Sequence, residues 1–75
     1  MKSMKVSLQL TERVKEFVRI TQDYPFEILL KSGRYVVDAK SILGIFSLDH
    51  SNPIIVEIYS DDCEELLEKL KQFEA

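Results

Sequence analysis

From Met4 to Leu10 the chain alternates apolar and polar residues strictly, with Met4, Val6, Leu8 and Leu10 set against Lys5, Ser7 and Gln9. Then the period changes. Val14, Phe17, Val18 and Thr21 recur at helical spacing, with Glu12, Arg13, Lys15, Glu16 and Arg19 on the remaining face. Period two marks a strand with one buried face, and the longer period marks an amphipathic helix lying on something apolar. This switching continues. Phe26, Ile28 and Leu30 alternate, Ser32-Gly33 offers a turn, and Tyr35 and Val37 alternate back, which predicts a β-hairpin. A short apolar segment runs from Ser41 to Leu48, and a last strand from Ile54 to Tyr59. Ser60 and Asp61-Asp62 are expected to open a final helix with the stripe Cys63, Leu66, Leu67, Leu70 and Phe73. Thr11 is the expected N-cap of the first helix, and Asp23-Tyr24-Pro25 its end.

The resulting order, β-α-β-β-α-β-α, predicts an α+β chain with a four-stranded antiparallel sheet, helices packed on one face and the other face solvated. A ferredoxin-like arrangement has nearly the same string of elements, and the short middle helix tips the choice away from it. With 75 residues, positions 1–75 are read as one domain with one thin core, too small for a deep catalytic cavity as well. The net charge of −3 disfavours nucleic acid and anionic membrane surfaces as partners. No apolar run follows the lysines of Met1-Lys2-Ser3-Met4-Lys5, so neither a signal peptide nor a membrane span is expected. The single cysteine fits a reducing compartment, and the cytoplasm is the expected location. No Ser-His-Asp set, phosphate-binding glycine loop or Cys-X-X-Cys pair is present, so the chain is read as no enzyme and as needing no cofactor. Asp49, His50, Asp61 and Asp62 match no metal-ligand spacing.

One segment is more specific. Asp38-Ala39-Lys40-Ser41-Ile42-Leu43-Gly44-Ile45-Phe46-Ser47-Leu48 closely resembles the regulatory-serine segment of HPr, the histidine-containing phosphocarrier protein of the sugar phosphotransferase system. That pattern reads Ala-Lys-Ser, two apolar residues, Gly, two apolar residues, Ser-Leu. Glu16-Phe17-Val18-Arg19 is similar to the middle of the family's first helix, and the element order agrees throughout. The resemblance implies an HPr-like open-faced β-sandwich. It also implies a departure, because the family's active site is a histidine in a Gly-X-His-X-Arg-Pro context. Alignment back from Glu16 puts Leu10 at the histidine's place and Glu12 at the arginine's, with a shortened loop before them. Leucine has no nitrogen to accept phosphate, and Glu12 would repel it. A catabolite-repression paralogue of HPr resembles this chain in lacking the histidine while keeping the serine.

Ser41 is therefore expected to cap the short helix and, by the resemblance, to be phosphorylated by an HPr-directed kinase. If Ile45 and Leu48 point inward, Ile42, Leu43 and Phe46 are left partly exposed, and in the family the matching residues dock enzymes and regulators. His50, in the polar loop Asp49-His50-Ser51-Asn52-Pro53, is read as a solvated residue, with a substitute phosphoacceptor as the sharper alternative. Cys63 is read as a small core residue. These observations make a non-catalytic regulatory or protein-interaction module, docking a transcriptional or metabolic regulator, the leading function. A cryptic phosphocarrier using His50 and a ferredoxin-like small-molecule sensor or structural domain are the alternatives.

Overall fold

The computed structural model describes residues 1–75. Its elements are β1 (Lys2–Val6), α1 (Thr11–Thr21), β2 (Ile28–Ser32), β3 (Tyr35–Asp38), α2 (Ile42–Phe46), β4 (Ile54–Ile58) and α3 (Glu64–Leu70), which runs into a 3-10 turn at Lys71–Phe73. The four strands form one antiparallel sheet in the order β1-β4-β2-β3. The alternation in β4 explains its central place. Ile54, Val56 and Ile58 are completely buried on the helical side, while Ile55 and Glu57 face outward. Register carries this across the sheet: Lys5, Ile55, Lys31 and Val36 stand in one outward row, and Met4, Val56, Leu30 and Val37 in an inward one. Lys31 Nζ pairs with Glu57 at 3.2 Å on the outer face. The inward rows meet Val14, Phe17, Val18, Ile20, Leu66, Leu70 and Phe73 in a core of 18 buried residues.

The first strand is shorter than its alternation predicts. It stops at Val6, and residues 7–10 form a connecting loop, so β1 does not run directly into the helix. Leu8 still reaches the core, but Leu10 does not. The backbone leaves the ladder because Ser7 N donates to Phe73 O, which takes the next edge position. Val6 likewise bridges to Glu74, and Ala75 N donates to Lys5 O. Leu10, rather than Thr11, is the N-cap of α1, in an extended conformation and with no side-chain capping bond. The hairpin turns at Gly33-Arg34, one residue later than expected, with Ser32 paired to Tyr35. Gly33 has φ +59°, the positive value that the first position of a tight hairpin turn requires and that glycine adopts without strain. Phe26 lies before β2 and packs on the core's margin.

The last helix starts later than its acidic run suggests, at Glu64, with Cys63 as N-cap. Ser60 Oγ instead accepts from Asp62 N and shapes the turn before it. Cys63 is buried as expected, whereas Leu67 is only partly covered. Position 67 sits one step round the helix from Leu66, which takes the fully buried place. No helix is long and apolar enough to cross a membrane.

Candidate functional site

The Ala39-Lys40-Ser41 run is held from several directions. Ala39 is fully buried, its N–H donates to Ile28 O, and its carbonyl lies 3.2 Å from Thr21 Oγ1. Thr21 is the sole buried polar side chain, and its one hydroxyl proton is shared between that carbonyl and Val18 O at 3.1 Å. Lys40 Nζ donates to the carbonyls of Tyr24 and Phe26, satisfying the loop that ends α1. Lys40 N donates to Asp38 Oδ1 at 2.8 Å, and Ser41 N to Asp38 O at 3.0 Å. The motif is therefore first a piece of structural carpentry. It delivers Ser41 to the surface in an extended conformation, where its Oγ accepts from Gly44 N at 3.1 Å and caps α2. Asparagine, aspartate and serine caps work in this way because they satisfy a donor that the helix itself leaves free.

The cap opens a helix of five residues that cannot hide all its apolar groups. Ile45 is completely buried and Leu48, just beyond the helix, nearly so. Ile42 is half-covered against the core, whereas Leu43 is 79% exposed and Phe46 44% exposed. The division into inward and outward residues is the one expected from spacing. Gly44 lets α2 lie close on β3: a Cβ there would sit 3.3 Å from Val37 Cβ and 3.2 Å from Ser41 Oγ. Beyond the helix, Ser47 Oγ donates to Gly44 O and Leu48 N to Ile45 O.

The turn into α1 lies beside the 49–53 loop, for Gln9 Nε2 donates to His50 O at 3.2 Å. Leu10, next to Gln9, is 61% exposed, and Glu12 is exposed as well. Arg13, in the first turn of α1, is tied to the backbone around it: its Nε donates to Ser7 O, its Nη2 to Gln72 O, and its guanidinium lies 5.2 Å from the centre of the Phe73 ring. His50 is not the solvated loop residue expected from the sequence. Its Nε2 is 2.7 Å from Ile45 O, and its Nδ1 is buried with no hydrogen-bond partner. The local polar sequence hid this, since the covering groups come from α2. Asp49 bends the loop by accepting from Ser51 N and Ser51 Oγ. The Ser51 hydroxyl, its backbone N–H and, least, the His50 ring hold the Asp49 carboxyl below the usual carboxylate range. No group of three or more His, Cys, Asp or Glu side chains could hold a metal ion. A shallow groove between the β2–β3 turn and the segment 47–53, lined by Arg34, Tyr35, Ser47 and Asn52 among others, was not foreseen from the sequence. It is assembled from segments far apart in the chain.

Solved structures share this arrangement over nearly the whole chain. The phosphocarrier protein HPr from Bacillus anthracis str. Ames is similar with a TM-score of 0.74 and 28% identity, covering 99% of this chain and 94% of that one. The chain is HPr-like. HPr-C-His from Thermoanaerobacter tengcongensis shares the fold, with a TM-score of 0.78, 24% identity and coverage of 96% of this chain and 89% of that one. No protein-family pattern and no curated relative matches the chain. The likeness decides for the HPr-like open-faced sandwich over the ferredoxin-like arrangement.

Proposed function

We propose that this HPr-like chain is a protein-interaction module related to the sugar phosphotransferase system, docking through Ile42, Leu43 and Phe46, and that it carries no phosphate on histidine. The observation that carries the second half is that its single histidine, His50, has Nε2 engaged by Ile45 O and Nδ1 buried. Phosphorylation of an imidazole needs a free nitrogen lone pair facing the phosphoryl donor. Leu10, at the start of α1, offers none, and in our alignment it stands where the family places its histidine. Glu12 takes the place of the family's arginine and supplies the wrong charge. What supports docking is the pair Leu43 and Phe46, whose exposure on a capped, anchored helix makes an apolar projection on a small domain. Ser41, capping the same helix with its side chain at the surface, is the residue we assign to phosphorylation by an HPr-directed kinase. A phosphate there would put about two negative charges beside the apolar residues and change which partner fits. The partner in this reading is a transcriptional or metabolic regulator in the cytoplasm, not a nucleic acid or membrane.

The test is phosphotransfer from phosphoenolpyruvate through the general phosphotransferase enzyme, with a genuine HPr as positive control. No label on this chain is expected. Stoichiometric, acid-labile label would overturn the proposal, and its loss in His50→Ala would install the cryptic-carrier reading. In a separate arm, the HPr-directed kinase with ATP should add one phosphate to wild type and none to Ser41→Ala.

A further inference from the structure

We infer that the free edge of the sheet, β3, pairs antiparallel with β3 of a second copy of this chain and joins two four-stranded sheets into one. The two edges of the sheet are finished differently. At β1 the end of the chain covers the edge, through the Val6–Glu74 bridge and the bonds from Ser7 N to Phe73 O and from Ala75 N to Lys5 O. No segment pairs with the far side of β3. That strand, Tyr35-Val36-Val37-Asp38, also lacks the lysine, proline or bulge by which exposed edges ordinarily resist pairing. Tyr35 is 71% exposed and Val36 50%. The phase of the backbone decides which groups are free. Ser32 and Tyr35 close the two-residue hairpin as a hydrogen-bonded pair, and Ala39 N donates to Ile28 O. Tyr35 and Val37 therefore direct their backbone groups at β2, while the N–H and C=O of Val36 point away from the sheet.

Face and charge then fix the register. Opposite residues of an antiparallel pair lie on one face, and the groups that bond are those pointing out along the edge. Both conditions hold when Val36 lies on a two-fold axis against Val36 of the second copy, donating to it and accepting from it. On the inner face Tyr35 meets the second copy's Val37, an aromatic against a β-branched side chain, and symmetry repeats the pair. Arg34, in the turn, stands across from the second copy's Asp38, again twice. Neither of these charges has an ion-pair partner in its own chain. Lys40 N engages only Oδ1 of Asp38, which leaves the other oxygen for a guanidinium. A slip of two residues would put Val36 opposite Arg34 or Asp38, and a slip of four would set like charges together. Such self-complementarity is what a two-fold contact requires, and it selects a second copy over an unrelated strand.

Sedimentation equilibrium of the whole chain at low salt, from about 10 μM to about 1 mM, tests this. None of Ile42, Leu43 and Phe46 takes part, so the outcome is independent of the docking proposal. The mass of the wild type should rise with concentration toward twice that of the monomer. Val36→Pro removes an N–H that β2 does not use, and should stay monomeric throughout. Arg34→Asp and Asp38→Arg each set like charges across the axis, and each should associate about 10-fold more weakly than wild type. Their equimolar mixture, in which both pairs are again opposite in sign, should regain wild-type association. Both variants stay net negative, so overall charge would not draw them together. A wild type still monomeric at about 1 mM would leave the edge to a strand of another protein and overturn the inference. A dimer that survives Val36→Pro, or a mixture no tighter than its components, would place the contact on another surface and overturn it as well. Should Val36→Pro or Asp38→Arg not fold, Arg34→Asp decides, since Arg34 is on an exposed turn, and association equal to wild type would refute the pairing.

Discussion

Ser41 caps α2 with the same oxygen to which the proposed regulation would attach a phosphate. Its Oγ accepts from Gly44 N, so Ser41→Ala leaves that donor without its partner and should cost about 1 kcal/mol, read by chemical denaturation. Aspartate caps as well as serine, so Ser41→Asp should leave stability near wild type while adding charge beside Leu43 and Phe46. A loss as large as that of Ser41→Ala would show that the aspartate does not reach Gly44 N. The neighbours Ala39 and Lys40 have a different meaning from the serine. Burial of Ala39 and the paired carbonyl contacts of Lys40 Nζ tie the motif to α1 and β2, whatever happens at Ser41.

At the scale of elements, α2 and β4 make opposite use of apolar residues. Phe46 is partly exposed, so Phe46→Ser should change stability by less than about 1 kcal/mol while weakening a partner that docks there. Val56 is completely buried in the central strand, and Val56→Ala should cost roughly 1–3 kcal/mol through lost contacts and residual cavity. Urea denaturation of the two variants separates them, and equal losses would make Phe46 a core residue. The outer face of the sheet depends on polar contacts instead. Glu57 is only 14% exposed, and its carboxyl is held below the usual carboxylate range first by the Tyr59 hydroxyl and then by Lys31 Nζ. A depressed carboxyl stabilises the fold above its unfolded value and loses that contribution as the pH falls through the folded one. The stability difference between wild type and Glu57→Gln should therefore be constant near neutrality and shrink below pH ~4. A difference unchanged down to pH ~3 would show that the Lys31 and Tyr59 contacts do not distinguish the charged group.

The whole molecule is closed by Phe73. Its ring meets Phe17 edge-on at 5.5 Å between centres, Arg13 covers it, and its carbonyl accepts from Ser7 N. One residue thus joins α1, the end of the chain and the strand edge. Phe73→Ala should cost roughly 3–5 kcal/mol. In a domain of this size that lowers Tm by at least about 12 °C, which thermal unfolding followed by circular dichroism would measure. A shift of only a few degrees would mean that the remaining core collapses onto the gap.

The periods of two and of 3.6 residues were sufficient to read strands, helices and most core positions directly from the sequence, because each depends on which side of a single element is apolar. The cap at Ser41 and the outward residues of α2 were legible for the same reason: a short helix has only one inward face. Where β1 stops, which residue caps α1 and how far Leu67 is covered were not legible, since those depend on what another element brings alongside. Phe73 takes the edge position after Val6, and Leu66 takes the fully buried place in α3. His50 is the sharpest case. Its neighbours in sequence are polar and describe a solvated loop, whereas α2 supplies the carbonyl that holds one ring nitrogen while the other is buried. Sequence periodicity reports local faces, but the partner of a single polar atom is decided by segments that only the tertiary fold brings together.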